Sequence, residues 1–164
     1  MNEEARKRLE IYLRDHYAGA ISALELLDHL AAQHQEDQLG SFFRDLRIQI
    51  GHDHEQLHNI MEALGFKESS IRDAGAWIAE KFTRLKVGFT AAEGADLRLL
   101  QSLEVLLIGV TGKKHLWLAL DVGKSGEPVL EQTDFARLIE RAEEQLQGIE
   151  ERRLEAARSA FGAG

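Results

Sequence analysis

The sequence predicts an all-α protein in which four long helices form a bundle of two antiparallel hairpins. Four long segments carry apolar residues at alternating steps of three and four, the spacing that marks one face of an α-helix. A short connection joins the first segment to the second, and another joins the third to the fourth, whereas a much longer stretch separates the two pairs. Short connections indicate antiparallel neighbours, and no segment shows the alternation typical of a β-strand.

Composition limits the classes of function. The chain has 164 residues, a length that suits one domain, Met1–Gly164, with a core of its own. Its formal net charge of −8 argues against nucleic acid and an anionic membrane surface as partners. The sequence has no cysteine, which excludes disulfides and thiolate metal sites. No apolar run follows the acidic N-terminus, so we expect no signal peptide, no membrane span and a cytoplasmic location.

Residues 3–33 and 38–64 are predicted to form the first hairpin. His16 lies at the centre of the apolar face of the first helix. In the second helix Asp53 takes a place where an apolar residue is expected, and Gly65 follows the last periodic residue as a C-cap. The apolar face of this second helix is formed by Leu39, Phe43, Leu46, Ile50, Asp53, Leu57, Ile60 and Leu64.

A short helix over 70–86, capped by Ser70, is predicted within the long connection. The third long helix covers 95–122, a turn covers 123–132, and Thr133 caps a fourth helix that ends at about Phe161. The third helix is apolar on more than one side and must therefore be covered on more than one side. Its main face is predicted to hold Leu99, Leu103, Leu107, Val110, Lys114 and Trp117. The main face of the fourth helix is predicted to hold Phe135, Leu138, Ala142, Leu146, Ile149, Arg153, Ala156 and Ala160.

The long connection is able to carry the chain back along the second helix, so that the second and third helices start at the same level. One long crossover between two hairpins is a topology of ferritin-like bundles, and the chain resembles the ferritin-like superfamily over nearly its whole length. Short phrases are also similar to small uncharacterised bacterial members of that superfamily: Tyr12–His16, Ala79–Lys81, Arg84–Lys86, Gly109–Lys113 and Leu116–Trp117. The resemblance implies a ferritin-like four-helix bundle with a short crossover helix, and it implies no particular activity.

The di-iron centre of that superfamily needs an inward Glu on two helices and Glu-x-x-His on the other two. Glu25 lies on the solvent side of the first helix, and the Glu55-x-x-His58 motif points away from the apolar face of the second. Glu104 lies at the edge of the third helix face, and the fourth helix has no histidine, since the last one is His115. This incomplete ligand set predicts no functional di-iron centre and no bound cofactor. The alternative is an iron, manganese or zinc protein with atypical ligands.

A His-Glu-x-x-His pattern, the zinc-protease signature, begins at His54 and ends at His58. That chemistry also needs a third ligand and a strand edge that aligns the substrate, and the sequence predicts no strand. A three-histidine metal site that adds His16 or His115 to the pair is an alternative. The simplest interpretation is that His52, His54 and His58 form a partly solvated flank of the second helix.

Counting residues from the connections places His16, Asp53 and Lys113 at one level of the bundle. We expect them to contact one another as a buried charged group. Such a group either fixes the register of the helices through ion pairs or forms a small-molecule pocket. In the pocket, Lys113 and His16 would donate hydrogen bonds and Asp53 would orient His16. Tyr12 and Tyr17 are near enough to line it.

Two further features belong to this interior. A second buried pair, Glu104 with Arg153, is expected nearer the other end of the bundle.

Each glycine inside a helix costs on the order of 1 kcal/mol relative to alanine, so glycines at one height indicate close backbone approach or open space. The glycines predicted at this level are Gly19, Gly51, Gly109 and Gly112.

Three hypotheses for function follow. The first is a non-catalytic ferritin-like bundle that acts in binding or assembly, most simply as a homodimer. The second is a metal-dependent oxidoreductase or iron-handling protein. The third is a pocket protein that uses the His16–Asp53–Lys113 layer, with His16 and Asp53 as a general base if it is an enzyme. The sequence favours the first, because inward carboxylates are not found on all four helices.

Overall fold

The computed structural model describes residues 1–66, 94–124 and 126–162. Within these ranges the chain forms helices and contains no strand, which confirms the all-α class. The predicted helix over 70–86 lies outside the described residues. The helices are α1 (Glu3–Gln33), α2 (Gln38–Ala63), α3 (Ala95–Gly123), α4 (Pro128–Gln132) and α5 (Phe135–Phe161).

Side chains cap the starts of three of the long helices. The Oδ1 of Asn2 accepts a hydrogen bond from Ala5 N at 2.8 Å, and Asp37 accepts from Gly40 N at 2.9 Å. These bonds satisfy backbone N–H groups that a helix start leaves without an intrahelical partner. After α2 the chain leaves the helix at Gly65, whose φ of 71° is one that glycine adopts without steric cost.

The connection between α3 and α5 differs from the prediction. The predicted turn over 123–132 contains the short helix α4, which starts at Pro128 because proline suits the first turn of a helix. Thr133 does not cap α5; its hydroxyl donates to Val129 O at 2.7 Å and closes α4 instead. Asp134 caps α5 by accepting from Arg137 N at 3.0 Å.

Two apolar clusters fill the bundle, one at each end, and they fix the helix directions. The cluster at one end includes Leu13 of α1, Leu57 of α2, Leu116 of α3 and Leu138 of α5. The cluster at the other end includes Leu27 of α1, Phe43 of α2, Leu103 of α3 and Ile149 of α5. Residue numbers rise toward the first end in α2 and α3 and fall toward it in α1 and α5. Helices α2 and α3 are therefore parallel, and each hairpin is antiparallel.

The buried faces of α3 and α5 agree only in part with the predicted ones. Leu100 and Leu106 are buried in α3, whereas Leu99 and Leu107 are only half-buried. On α5, Gln145 is buried in place of Leu146. The α3 prediction was wrong because that helix is apolar on several sides, so its spacing does not define one face.

Among the helices that the structure describes, none is long and apolar enough to cross a membrane. The cytoplasmic location, the absence of a nucleic-acid partner and the homodimer stay predictions.

Candidate functional site

A buried charge cluster lies between the two apolar clusters, centred on Asp53 of α2. The side chain of Asp53 is only 2% exposed. Its Oδ1 accepts a hydrogen bond from Arg141 Nη2, and its Oδ2 accepts from Lys113 Nζ and, at 3.3 Å, from Gln145 Nε2. Lys113 Nζ also donates to Gln145 Oε1. The cluster therefore ties α2 to both helices of the second hairpin.

The cluster carries a surplus of one positive charge. Among the described residues it holds one carboxylate, Asp53, and two cations, Lys113 and Arg141, so the sum is −1 + 1 + 1 = +1. The side chain of Lys113 is 13% exposed and that of Arg141 is 25% exposed. Burial lowers the pKa of Lys113; Asp53 opposes this shift, and the positive charge of Arg141 adds to it.

His16 does not join this cluster, so the predicted three-way contact is wrong in that part. No hydrogen bond or ion pair within the described ranges links its ring to Asp53 or Lys113. Instead the ring lies edge-on to Tyr12, with 4.7 Å between ring centroids. Burial lowers the pKa of His16, and Asp15, rather than Asp53, opposes that shift. The physical reason is that a cavity lies between α1 and the two helices that carry Asp53 and Lys113.

This cavity has a volume of about 220 Å³, lies between α1, α2 and α3, and is partly open to solvent. Asp53, Lys113 and His16 all line it, so the predicted layer surrounds an open space instead of filling it. Gly19, Gly109 and Gly112 also line it, and a Cβ added to any of these glycines would meet no atom within 4 Å. Close packing of the backbones therefore does not require glycine at these three positions. Gly51, the fourth glycine predicted for this layer, does not line the cavity.

Two buried nitrogen atoms beside the cavity have no hydrogen-bond partner in the part of the chain that the structure describes: His54 Nε2 and Trp117 Nε1. Buried polar atoms are normally paired, which makes such atoms informative. The His54 ring stacks on Tyr17 with centroids 4.2 Å apart. Burial, and then repulsion by His58, lowers the pKa of His54, which favours its neutral form at pH 7.

The predicted metal ligands do not come together. Glu25 and Glu55 are exposed, as their spacing predicted, and His115 is exposed on α3 outside the cavity. His54 and His58 both lie against Tyr17. Among residues 1–66, 94–124 and 126–162, no three or more His, Asp or Glu side chains are grouped so that they could hold a metal ion.

The second predicted pair forms, but it is not buried. Arg153 Nη1 lies 3.6 Å from Glu104 Oε1, and the Glu104 side chain is 49% exposed. Arg153 makes shorter bonds to Glu150, both at 2.7 Å, within its own helix. The prediction of burial was wrong because Glu104 faces solvent from the edge of α3. An exposed pair of this kind contributes about 0–1 kcal/mol to stability.

A wider groove of about 800 Å³ runs along α2, α4 and α5. Its walls mix acids with bases, for example Glu127 and Asp134 with Arg137 and Arg141. Arg137 is paired with Glu140 at 2.6 Å.

Sequence reasoning missed Arg141 and Gln145 of α5. Gln145 follows Ala142 by three residues and precedes Ile149 by four, which is the spacing of the buried face, so the pattern could have identified it. Arg141 gives no such signal, because the fourth helix is rich in arginine and glutamate on every other face.

No family model, curated protein or solved structure matches this chain. The function is therefore argued from the site alone.

Proposed function

We propose that this chain is a ferritin-like four-helix bundle that binds a small organic molecule in the cavity between α1, α2 and α3, without catalysing a reaction on it. The observation that carries the proposal is a cavity of about 220 Å³ whose walls include glycines with open space at the Cβ position. Two further lining residues, His54 and Trp117, each have a buried ring nitrogen without a partner in the described ranges. The parallel directions of α2 and α3 support the ferritin-like arrangement.

The size and lining of the cavity suit a small ligand with an apolar body. An apolar cavity of roughly 150 Å³ binds benzene, so this one has room for a substituted ring. Ligand sites are typically apolar with a few well-placed polar groups. Here the apolar walls come from Ile50, Leu57, Val110 and Leu116, and the polar groups are the charge cluster and the histidines.

Binding without catalysis fits the chemistry of the site. The general base of the third hypothesis needs Asp53 to orient His16, but within the described ranges Asp53 accepts hydrogen bonds from Lys113, Arg141 and Gln145 instead. Metal-dependent oxidation would need a group of ligands that the described ranges do not supply. Assembly as a homodimer is a separate property that this proposal does not require.

The test uses the indole N–H of Trp117 as a reporter in nitrogen-15 NMR spectra. The chain has two tryptophans, so Trp77→Phe leaves one indole signal. Small aromatic compounds such as toluene, phenol and indole are titrated into this variant. We expect a saturable shift of the Trp117 signal with at least one of them.

A pair of leucine substitutions locates the binding. Gly112→Leu places a side chain into the cavity and should abolish the shift. Gly51→Leu adds the same side chain to α2 where the Cβ position is also open but outside the cavity, and it should leave the shift intact. The proposal fails if no compound shifts the signal at millimolar concentration, or if both variants behave alike.

A further inference from the structure

We infer, on the basis of the function proposed above, that the cavity selects a small organic monoanion: a compact apolar body that carries one carboxylate. The carboxylate would accept a hydrogen bond from Lys113 Nζ. The first argument is charge. The cluster beside the cavity holds two cations and one carboxylate among the described residues, and a buried charge without a counter-ion is strongly disfavoured. A bound carboxylate would bring the net charge of the cluster and ligand to zero.

The second argument is the availability of hydrogen-bond donors. A lysine ammonium has three N–H donors, and in the described ranges two of those on Lys113 are used, by Asp53 and Gln145. The third is therefore available to a carboxylate in the cavity that Lys113 lines. Trp117, four residues further along α3, lines the same cavity, so its indole signal reports on binding there.

The third argument excludes other ligand classes. A cation would meet the surplus positive charge of Lys113 and Arg141. A phosphate dianion would bring more negative charge than that surplus and would have no apolar part to bury against Leu57 and Leu116. The other carboxylate that lines the cavity, Asp15, belongs to an exposed residue, so solvent screens its charge. A monoanion with an apolar body matches both the charge and the walls.

The test compares three ligands of nearly the same shape and different charge: benzoate, benzamide and benzamidine. Dissociation constants are measured on the full chain by titration of the Trp117 indole signal and by calorimetry. Hydrogen bonds to charged groups are stronger than those between neutral groups, so we expect benzoate to bind about tenfold more tightly than benzamide, which corresponds to about 1.4 kcal/mol. Benzamidine should bind most weakly.

Two lysine variants then identify the residue responsible. Lys113→Met should remove the preference, so that benzoate no longer binds more tightly than benzamide. The control is Lys114→Met, because Lys114 is the next residue on α3 but pairs with Glu143 at 2.7 Å and does not line the cavity. It should change neither affinity.

The outcomes separate this inference from the proposed function. If benzamide and benzoate bind equally well, the selection of an anion is wrong while binding in the cavity stands. If none of the three binds, and the neutral panel also fails, both are wrong. The ranking of the three ligands on the unsubstituted protein decides the question even if Lys113→Met does not fold.

Discussion

Two polar regions lie on either side of α2 at the same height, and they are built in opposite ways. Toward α3 and α5, each carboxylate oxygen of Asp53 accepts a hydrogen bond. Toward α1, the ring nitrogens His54 Nε2 and His58 Nδ1 have no partner in the described ranges. The two regions differ because a different helix packs against each side of α2. Helix α5 supplies long polar side chains that reach Asp53, whereas α1 supplies small residues and the ring of Tyr17.

This difference assigns different roles to the two sides. A paired and buried charge cluster holds helices in register, and removal of one member leaves the others without a counter-charge. A cavity lined by small residues adds little to stability, but it has room for a ligand. Pairing of Asp53 is therefore expected to control folding, whereas the cavity, with Lys113 at its wall, is expected to control binding.

The largest effect is expected from Asp53→Ala. This substitution leaves Lys113 and Arg141 buried without their carboxylate, and loss of one partner of a buried pair costs about 3–5 kcal/mol. Urea unfolding measures the loss. The control is Asp45→Ala on the same helix, where the side chain is exposed and the change should stay within about 0.5 kcal/mol. A loss below about 1 kcal/mol for Asp53→Ala would contradict the role assigned to the cluster.

A mutant cycle tests whether the two sides are independent. Asp53→Ala combined with Lys113→Met should show a coupling of about 1–3 kcal/mol, because the two side chains are in contact. Asp53→Ala combined with His16→Ala should be additive within about 0.5 kcal/mol, because the cavity separates them. Unfolding of the single and double variants gives both values. Strong coupling between Asp53 and His16 would indicate that His16, Asp53 and Lys113 are in contact, as the sequence predicted.

A smaller and opposite effect is expected at the cavity wall. Gly109→Ala should stabilise the protein by about 1 kcal/mol, because alanine favours the helix and its methyl group enters open space. Thermal unfolding measures the gain. Gly40→Ala is the matched contrast on α2, since a Cβ there would collide with the carbonyl group of His34, and we expect it to destabilise. Destabilisation by Gly109→Ala would show that the cavity wall is closely packed.

The smallest effect is a dependence of stability on pH from the α1 side. Burial lowers the pKa of His16 and His54. Below about pH 6.5 these histidines are therefore protonated more readily in the unfolded chain than in the folded chain. This contribution to stability is fully present above that pH and is lost as the pH falls toward the lowered values. His54→Gln should weaken the dependence in urea unfolding at several pH values, while His115→Gln, at an exposed residue, should not. If the free energy of unfolding changes equally with pH in the two variants, the burial of His54 does not contribute to the pH dependence of stability.

Much of the fold follows from the sequence because helix spacing and end signals are local. The bounds predicted for the long helices agree with the structure to within about two residues, the usual uncertainty of helix ends. Gly65 ends α2 as its position predicted, because a left-handed conformation at a helix end favours glycine. The sequence did not predict the short helix α4 or the cap at Asp134. Thr133 and Asp134 are adjacent and both suit a helix N-cap, so the sequence does not decide between them.

The sequence by itself determined which residues were candidates for the interior: a charged residue, Asp53, on an apolar face, and glycines inside long helices. Those signals are local, since they depend only on spacing and on the cost of each residue type. The tertiary structure decided which partners these residues have. The rotation of α5 brings Arg141 and Gln145 to Asp53, and the separation of α1 from α3 leaves His16 facing a cavity. No spacing rule contains this information, because helix rotation and separation are set by the packing of all side chains together.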